Sequence, residues 1–389
     1  MPADARMEPL LSRAHDLSRA ATLLAGTHVP QELRGLLRSM NSYYTNRIEG
    51  QHTRPHEIEQ ALRKDFSDDA HLAAKQRLAV AHIEAEAALE QRYTGADGAH
   101  ALYSADAVQA IHQELFGRLT KPDLFTDEGE PIVPGQLRRR EVQVGQHVAP
   151  EFVSVPDFLG RWGSYYGSVR RGEAALVAIA CAHQRLGWIH PFVDGNGRVM
   201  RLHTHTLLSA LGYNGGLWSP LRGFARSTER YYALLADADS ARRGDLDGRG
   251  NLSEQALIAW VNYVLDVCQD QVGFMSGMLD FETLKNRLQA CLVFEATVEK
   301  SGVRPESLRG LHYLFLSGDE MTRGDFKAMS GMSDRSATDA LGALVRRGLL
   351  KSDTPQGKVR FGLPQHALRF LFPRLWPEAE ADAASPGLS

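Results

Sequence analysis

Helical periodicity dominates this sequence, and strand signals are scarce. Apolar residues recur every three or four positions over most of the chain, as they do from Leu33 to Met40, whereas strand-type alternation is confined to short runs. The pattern predicts an all-α fold. Helices are expected over residues 8–24, 31–48, 56–64, 71–93, 105–119, 155–166, 173–188, 198–211, 229–236, 253–275 and 281–299.

The length of the chain, 389 residues, exceeds that of one ordinary core and suggests two or three domains. We expect an N-terminal helical region at 1–100, a helical core at 101–280 and a connecting helix at 281–304. A separate domain is predicted at 305–375. The end of the chain, 376–389, is acidic and rich in small residues, and we expect it to be disordered.

Overall charge and apolar content exclude some partners. The formal net charge of −3 singles out neither nucleic acid nor an anionic membrane. No apolar run is long enough to span a bilayer, so we expect no membrane association and a cytoplasmic protein. The three cysteines are widely spaced in apolar helical segments, which predicts buried thiols rather than disulfides or metal ligands.

One stretch, HPFVDGNGRVMR at 190–201, concentrates reactive and anion-binding residues between two predicted helices. Its Gly-Asn-Gly falls at a helix N-terminus, where free backbone N–H groups and the helix dipole favour phosphate oxygens. Gly195 and Gly197 let the backbone approach an anion closely, since neither carries a Cβ atom. The stretch therefore predicts a phosphate-binding turn.

The charged residues of this stretch have distinct expected roles. Arg198 and Arg201 lie on the first turn of the new helix and can offer forked donors to phosphates. Asp194 is placed to hold a magnesium ion that bridges two phosphates. His190 then remains as the natural general base for a protein hydroxyl that attacks phosphorus.

The same twelve residues resemble, at every position, the signature of the Fic (filamentation induced by cAMP) family, His-Pro-Phe-x-Asp/Glu-Gly-Asn-Gly/Lys-Arg-x-x-Arg. The resemblance implies a Fic-fold catalytic core at 101–280 that transfers AMP from ATP to a Ser, Thr or Tyr hydroxyl of a target protein. It implies these roles: base, His190; magnesium ligand, Asp194; anion hole, Gly195, Asn196 and Gly197; phosphate binding, Arg198 and Arg201.

A second stretch, TNRIEG at 45–50, is similar to the inhibitory pattern of that family, Ser/Thr-x-x-x-Glu-Gly/Asn. With Thr45 and Gly50 in the pattern, the resemblance implies an inhibitory helix at about 31–50. Its Glu49 would pair with Arg201 where the γ-phosphate of ATP should sit. The alternative is an ordinary helix end in solvent, since a Gly after the last turn is a common helix stop.

A third stretch, PGQLRRREVQVG at 134–145, resembles the flap of the family, which aligns a target segment by main-chain pairing. The resemblance implies that Arg138, Val142 and Val144 belong to this docking flap. The alternative is a plain surface hairpin whose arginines are solvated.

The family also places part of its adenosine pocket after the motif helix. Tyr231 or Tyr232 would then line the adenine base, but an aromatic residue on an amphipathic helix is more often part of the core. His203 and His205 are two apart on a helix and point apart, so we interpret them as surface or packing residues rather than a metal-binding pair.

The region 305–375 reads as two helices, a turn, a longer helix and a basic two-strand wing, which resembles a winged helix-turn-helix domain. Such domains contact DNA, but they also dock proteins or dimerise, so a homodimer is a candidate assembly. The basic residues that can meet phosphates are Arg335, Arg346, Arg347, Lys351, Lys358 and Arg360.

We therefore predict a protein adenylyltransferase with ATP and Mg²⁺, autoinhibited by Glu49, whose target is unknown and could be the chain itself. One alternative is a Fic-fold enzyme that removes AMP or transfers another phosphate-containing group. A second alternative is a nucleotide-responsive regulator that binds DNA without catalysis.

Overall fold

The structure is a computed structural model, and it describes residues 1–145, 147–169, 172–248 and 250–376. Within these ranges it contains seventeen α-helices and five strands of two or three residues, so the predicted all-α fold is confirmed. All of the predicted tail except Trp376 lies outside the described residues.

The chain divides into two compact units. The first comprises Met1–Ala25 and Arg38–Gly273, and the second comprises Gly26–Leu37 and Phe274–Ser389. One helix, Gln31–Ile48, begins in the second unit and ends in the first.

The helices up to the end of the first unit are, in chain order, α1 (Asp4–Ala25), α2 (Gln31–Ile48), α3 (Pro55–Leu62), α4 (Ala70–Arg92), α5 (Gly95–Ala101), α6 (Ala105–Phe116), α7 (Val155–Gly167), α8 (Glu173–Ile189), α9 (Asn196–Ala210), α10 (Leu221–Arg226), α11 (Thr228–Asp237) and α12 (Glu254–Met278). Two of them, α5 and α10, were not predicted from the sequence; each has seven residues or fewer, too few to show a helical period. A hairpin of β1 (Gln143–Val144) and β2 (His147–Val148) pairs antiparallel between α6 and α7.

The core of the first unit forms around α8. Its residues 175–184 are buried on every face of the helix, as expected for a helix that is apolar all round. It packs against α1, α7 and α9, and α9 in turn packs against α4, α5 and α6. Polar caps fix the ends of neighbouring helices: the Ser104 side chain accepts a hydrogen bond from Ala107 N at the start of α6, as the sequence predicted. The turn between α8 and α9 is thus held by two well-packed helices.

The second unit combines five helices with a small antiparallel sheet. Its elements are α13 (Phe281–Thr297), α14 (Leu308–Ser317), β3 (Glu320–Met321), α15 (Arg323–Ser330), α16 (Asp334–Arg346), β4 (Leu350–Lys351), β5 (Val359–Phe361) and α17 (Gln365–Leu371). The strand order is β3-β5-β4, with Met321 opposite Val359 and Leu350 opposite Phe361. The helices α13 to α16 and the strands β4 and β5 occur in the predicted order, whereas β3 and α17 were not predicted. The assignment as a winged helix stays a prediction.

Cysteine placement agrees with the prediction, since Cys181, Cys268 and Cys291 are all buried and none of them forms a disulfide. Among the residues that the structure describes, no helix combines the length and apolar character that crossing a membrane requires.

Candidate active site

The turn between α8 and α9 is built from two left-handed backbone positions. His190 ends α8 with φ 49° and ψ 62°, an unusual conformation for a residue with a side chain. Gly195 precedes α9 with φ 76°, and a Cβ atom at this position would collide with the ring of Phe116. Glycine is therefore required at 195 both by backbone conformation and by space.

Asn196 closes the turn on itself. Its side-chain oxygen accepts a hydrogen bond from Phe192 N at 2.9 Å, and its side-chain nitrogen donates to Phe192 O at 2.8 Å. Phe192 itself is fully buried. The Asn196 side chain is thus committed to the turn, and the groups left to form an anion hole are the backbone N–H groups of the first turn of α9, which have no intrahelical partner.

His112 supports the turn from α6, and the sequence did not single it out. Its Nδ1 accepts from Gly135 N at 2.8 Å, which leaves Nε2 to donate to Asp194 O at 3.3 Å. The ring also stacks on Phe192, with centroids 4.0 Å apart. Burial lowers the pKa of His112 to about 4, so the ring is neutral and holds this tautomer at neutral pH.

His190, the predicted base, lies half-buried at the mouth of the turn. Burial is the main cause that lowers its pKa to about 4, with smaller contributions in the same direction from His147 and Arg138. Its imidazole is therefore unprotonated at neutral pH, as a general base must be.

Arg138 has a different place from the one predicted. Its side chain is buried, at 3% exposure, and is neither solvated nor available to a docked target. Its Nε donates to His190 O at 2.8 Å and its Nη1 to Arg140 O at 2.8 Å, and its Nη2 donates to Pro150 O. Arg138 thus ties the hairpin to the turn between α8 and α9, because a buried guanidinium needs acceptors for its five N–H groups.

The rest of the flap is a short hairpin. Val142 is half-buried and its carbonyl accepts from Ala149 N at 3.3 Å, just before β1. Val144 pairs with His147 in the hairpin, and its side chain lies outside the described part of the structure.

The Nε and Nη2 atoms of Arg201 are occupied by the end of α2. Its Nε donates to Thr45 Oγ1 at 2.8 Å, and its Nη2 donates to Thr45 O at 3.3 Å and to Glu49 Oε1. Its side chain is fully buried, and Nη1 has no hydrogen-bond partner in the structure. The structure thus brings Thr45 and Glu49 together with Arg201, as the inhibitory pattern implies. An ordinary helix end in solvent would not explain these contacts.

The carboxylate of Glu49 stays ionised in this setting. Burial opposes its ionisation, but Arg201 and Arg198 outweigh that effect, so the pKa of Glu49 lies below its usual value. Its Oε1 lies so close to Gly197 that a Cβ atom there would collide with it. Gly50 follows the end of the helix with φ 73°, the left-handed conformation of a common helix stop.

Arg198 is held by neutral partners, which the sequence did not predict. Its Nε donates to Asn46 Oδ1 at 3.3 Å and its Nη2 to Gln51 Oε1 at 2.9 Å. The nearest carboxylate oxygen of Asp194 is 3.8 Å from Nη1. Asn46 lies one position after Thr45, and Gln51 lies two positions after Glu49. Their closeness to the inhibitory pattern in the sequence was the signal that could have identified them as partners of Arg198.

Asp194 fits a magnesium ligand. Its side chain is 43% exposed, and the residue lies directly before Gly195 at the start of α9. One of its oxygens accepts from Gly195 N, which orients the carboxylate. A single protein carboxylate that shares a small hard cation with substrate phosphates is a common arrangement for Mg²⁺.

The two tyrosines differ. Tyr231 is fully buried among aromatic rings, and its hydroxyl lies 3.0 Å from His183 Nε2, which agrees with the core alternative. Tyr232 is 42% exposed and its hydroxyl donates to Ile48 O at 3.2 Å, beside the end of α2. Of the two, only Tyr232 presents a surface to a ligand in this structure.

Known proteins resemble part of this chain in sequence. Residues 102–208 match the model of the Fic/DOC family. The protein adenylyltransferases Fic of Drosophila mojavensis and Drosophila virilis are 35% and 36% identical over 120 residues, which is 31% of this chain. That stretch covers 24% and 25% of the two flies' proteins, so the chain spans about a quarter of the length of these relatives.

Solved structures extend the similarity to the fold. A Fic family protein from Desulfovibrio desulfuricans G20 superimposes with a TM-score of 0.54 at 18% identity, over 94% of this chain and 98% of its own. Fic-1 from C. elegans gives a TM-score of 0.52 at 18% identity, over 70% of this chain and 75% of its own. The resemblance found in the sequence is confirmed for the segment from 102 to 208, which is similar to Fic/DOC family domains.

Proposed function

We propose that this protein is a protein adenylyltransferase that transfers AMP from ATP to a hydroxyl of a target protein. The observation that carries the proposal is the turn itself: an unprotonated imidazole, a free helix N-terminus and two arginines converge within twelve residues. The activity of the similar fly proteins, as their names give it, supports the same reaction.

The chemistry follows from the positions of these groups. The target hydroxyl oxygen attacks the α-phosphorus of ATP, the bond to the β-phosphate breaks, and pyrophosphate leaves. His190 takes the hydroxyl proton, and the backbone N–H groups at the start of α9 stabilise the developing charge. Asp194 would hold Mg²⁺, which neutralises phosphate charge when bound. Arg198 and Arg201 would orient the phosphates once they are released from α2.

We further propose that α2 keeps this enzyme inactive. Glu49 and Thr45 occupy the guanidinium of Arg201, and Glu49 places a negative charge beside Gly197. A γ-phosphate that approached this arginine would be repelled by the carboxylate and would find most of its donors engaged. ATP would then bind in an unproductive pose.

The test is incubation of the Glu49→Gly variant with α-labelled ATP, Mg²⁺ and a cell lysate. We expect label on protein, release of one pyrophosphate per label and a mass gain of one AMP on the modified chain. Label that first appears and is then lost as free AMP would favour the AMP-removing alternative. Pyrophosphate release with no labelled protein at any time would contradict the transferase.

DNA contact forms no part of this proposal. In the second unit, two of the basic residues expected at phosphates are paired with acidic side chains: Arg347 with Glu295, and Arg360 with Glu32 and Asp353. These pairings reduce the charge that the wing can offer to a phosphate backbone.

A further inference from the structure

A cluster of metal-ligating side chains lies inside the first unit, behind the candidate active site. His82, Glu86 and Glu90 are spaced four residues apart and lie on one face of α4. His205 reaches the same place from α9, one helical turn after Arg201. We propose that His82, Glu86, Glu90 and His205 bind a divalent transition-metal ion of the Zn²⁺ type.

The spacing of the ligand atoms suits such an ion. His205 Nε2 lies 2.9 Å from Glu90 Oε1 and 3.5 Å from Glu86 Oε1. One ligand atom from each of these three residues falls within 4.8 Å of the others. Atoms bound to tetrahedral Zn²⁺ at about 2.1 Å are separated by about 3.4 Å, so small side-chain shifts would bring them into place.

His82 provides an independent sign that the cluster binds a ligand. Its side chain is fully buried, and neither Nδ1 nor Nε2 has a hydrogen-bond partner. Nδ1 faces Glu86 Oε2 at 3.9 Å, and that oxygen is also buried without a partner. Buried polar atoms are rarely left unsatisfied, so an imidazole and a carboxylate oxygen that face each other at this distance suggest a shared ligand.

The carboxylates are oriented from α2 as metal ligands usually are. Arg38 donates to Glu90 Oε2 through Nη2 at 2.6 Å and through Nε at 3.2 Å. Asn41 donates to Glu86 Oε1 at 2.9 Å. Outer hydrogen bonds of this kind fix the ligand oxygens, and Arg38 leaves the other oxygen of Glu90 to face His205.

The choice of ion follows from the donor set. Two imidazoles and two carboxylates match Zn²⁺, Mn²⁺ or Fe²⁺, whereas Ca²⁺ and Mg²⁺ prefer oxygen ligands. A dication would also neutralise two carboxylates that are otherwise brought close together out of water. Because Arg38 and Asn41 belong to α2, the bound ion would fasten α2 to α4 and α9.

The experiment measures metal binding and does not depend on AMP transfer. The full chain is stripped with a chelator and titrated with Zn²⁺, while bound metal and thermal unfolding are followed. The variants are His205→Gln and His82→Gln, and the matched control is Glu84→Gln, which removes an exposed carboxylate from the same helix. The control is needed because the chain has 15 histidines, some of which can bind Zn²⁺ weakly at the surface.

We expect one tightly bound Zn²⁺ per chain and a higher unfolding temperature with metal, in both the wild type and Glu84→Gln. Loss of His205 or His82 should weaken binding by about 100-fold or more, since removal even of outer hydrogen bonds costs 10–100-fold. If His205→Gln fails to fold, His82→Gln still decides. Binding of equal strength in all variants, or no tight binding by the wild type, would overturn the site and leave the cluster as a metal-free network.

Discussion

Two ion pairs, one in each unit, use the same two residue types in opposite ways. In the first unit, Arg201 is the buried partner, and the side chain of Glu49 is 27% exposed. In the second unit, Glu295 is the buried partner at 1% exposure, and Arg347 is 32% exposed. The cation is therefore the buried partner in the Glu49–Arg201 pair, and the anion is the buried partner in the Arg347–Glu295 pair.

The bonding differs as well. Arg347 donates two hydrogen bonds to the carboxylate of Glu295, from Nε at 2.6 Å and from Nη2 at 2.7 Å. This bidentate geometry is typical of a structural ion pair. Arg201 gives Glu49 only one nitrogen and uses another for Thr45. If Glu49 leaves, a buried guanidinium remains that any anion, including a phosphate, can satisfy. If Arg347 is lost, a buried carboxylate remains without its bidentate partner. The second pair therefore has the geometry of a structural pair, whereas we propose that the first acts as a switch.

The largest expected effect is on AMP transfer by a protein in which Glu49 no longer pairs with Arg201. In a Glu49→Gly background, His190→Ala should lower AMP transfer by about 10²–10⁴-fold, because proton transfer to a positioned base contributes that much. Binding of ATP, measured by isothermal titration, should change little. Retention of most of the transfer activity would mean that the opened site works through another base.

The next largest effect is expected from a substitution that breaks the Arg347–Glu295 pair and leaves the Glu49–Arg201 pair intact. Arg347→Met removes the bidentate partner of Glu295, so the free energy of unfolding should fall by about 2 kcal/mol, since hydrogen bonds to charged groups are worth about 1.5–3 kcal/mol. His366 Nε2, 3.1 Å from Glu295, limits the loss. Chemical denaturation measures the change. A rise in AMP transfer in this variant would show that the two pairs are not functionally distinct.

A smaller effect is expected from loss of the hydrogen bond between Thr45 and Arg201. Thr45→Val keeps the shape of the side chain but removes the acceptor for Arg201 Nε, so inhibition should weaken by about fivefold, equivalent to one hydrogen bond of about 1 kcal/mol. Ser42→Ala is the matched control, because Ser42 lies on α2 like Thr45 and its hydroxyl donates to Ala79 O of α4. Equal labelling by the two variants would deny Thr45 a specific role.

The smallest effect is a pH response that should be nearly absent. Burial lowers the pKa of His190 to about 4, and Glu49 only raises it, so Glu49→Gly should keep this pKa low. The imidazole loses its proton as pH rises through that value, so kcat/KM should change less than about twofold between about pH 7 and about pH 5.5. A base with an ordinary pKa near 6.5 would instead lose about tenfold over that range.

The sequence predicted the helices and the catalytic turn because both depend on local pattern. The period of apolar residues set the bounds of α2 at Gln31–Ile48, and glycine is required at 195 by backbone conformation. The partner of Arg201 could be expected only through the family pattern, since Glu49 lies 152 residues away in the chain. No local rule connects such distant positions.

Other features followed from tertiary packing and were missed. Arg138 looked like an exposed flap residue because it stands among three consecutive arginines, yet its guanidinium is buried on backbone carbonyls. His205 is buried at 1% exposure, which agrees with its interpretation as a packing residue, but its partners were not identified from the sequence. Its carboxylate partners come from α4, and the four-residue spacing of His82, Glu86 and Glu90 was the signal that could have revealed them.

The most direct test of the central claim, that the Glu49–Arg201 pair holds a competent enzyme inactive, is the rate of AMP transfer by Glu49→Gly relative to wild type with α-labelled ATP and Mg²⁺. We predict a rise of about 100-fold, since breaking a buried ion pair is worth roughly 3 kcal/mol. The result that would contradict the account is a Glu49→Gly protein that is folded and binds ATP, yet transfers AMP no faster than wild type.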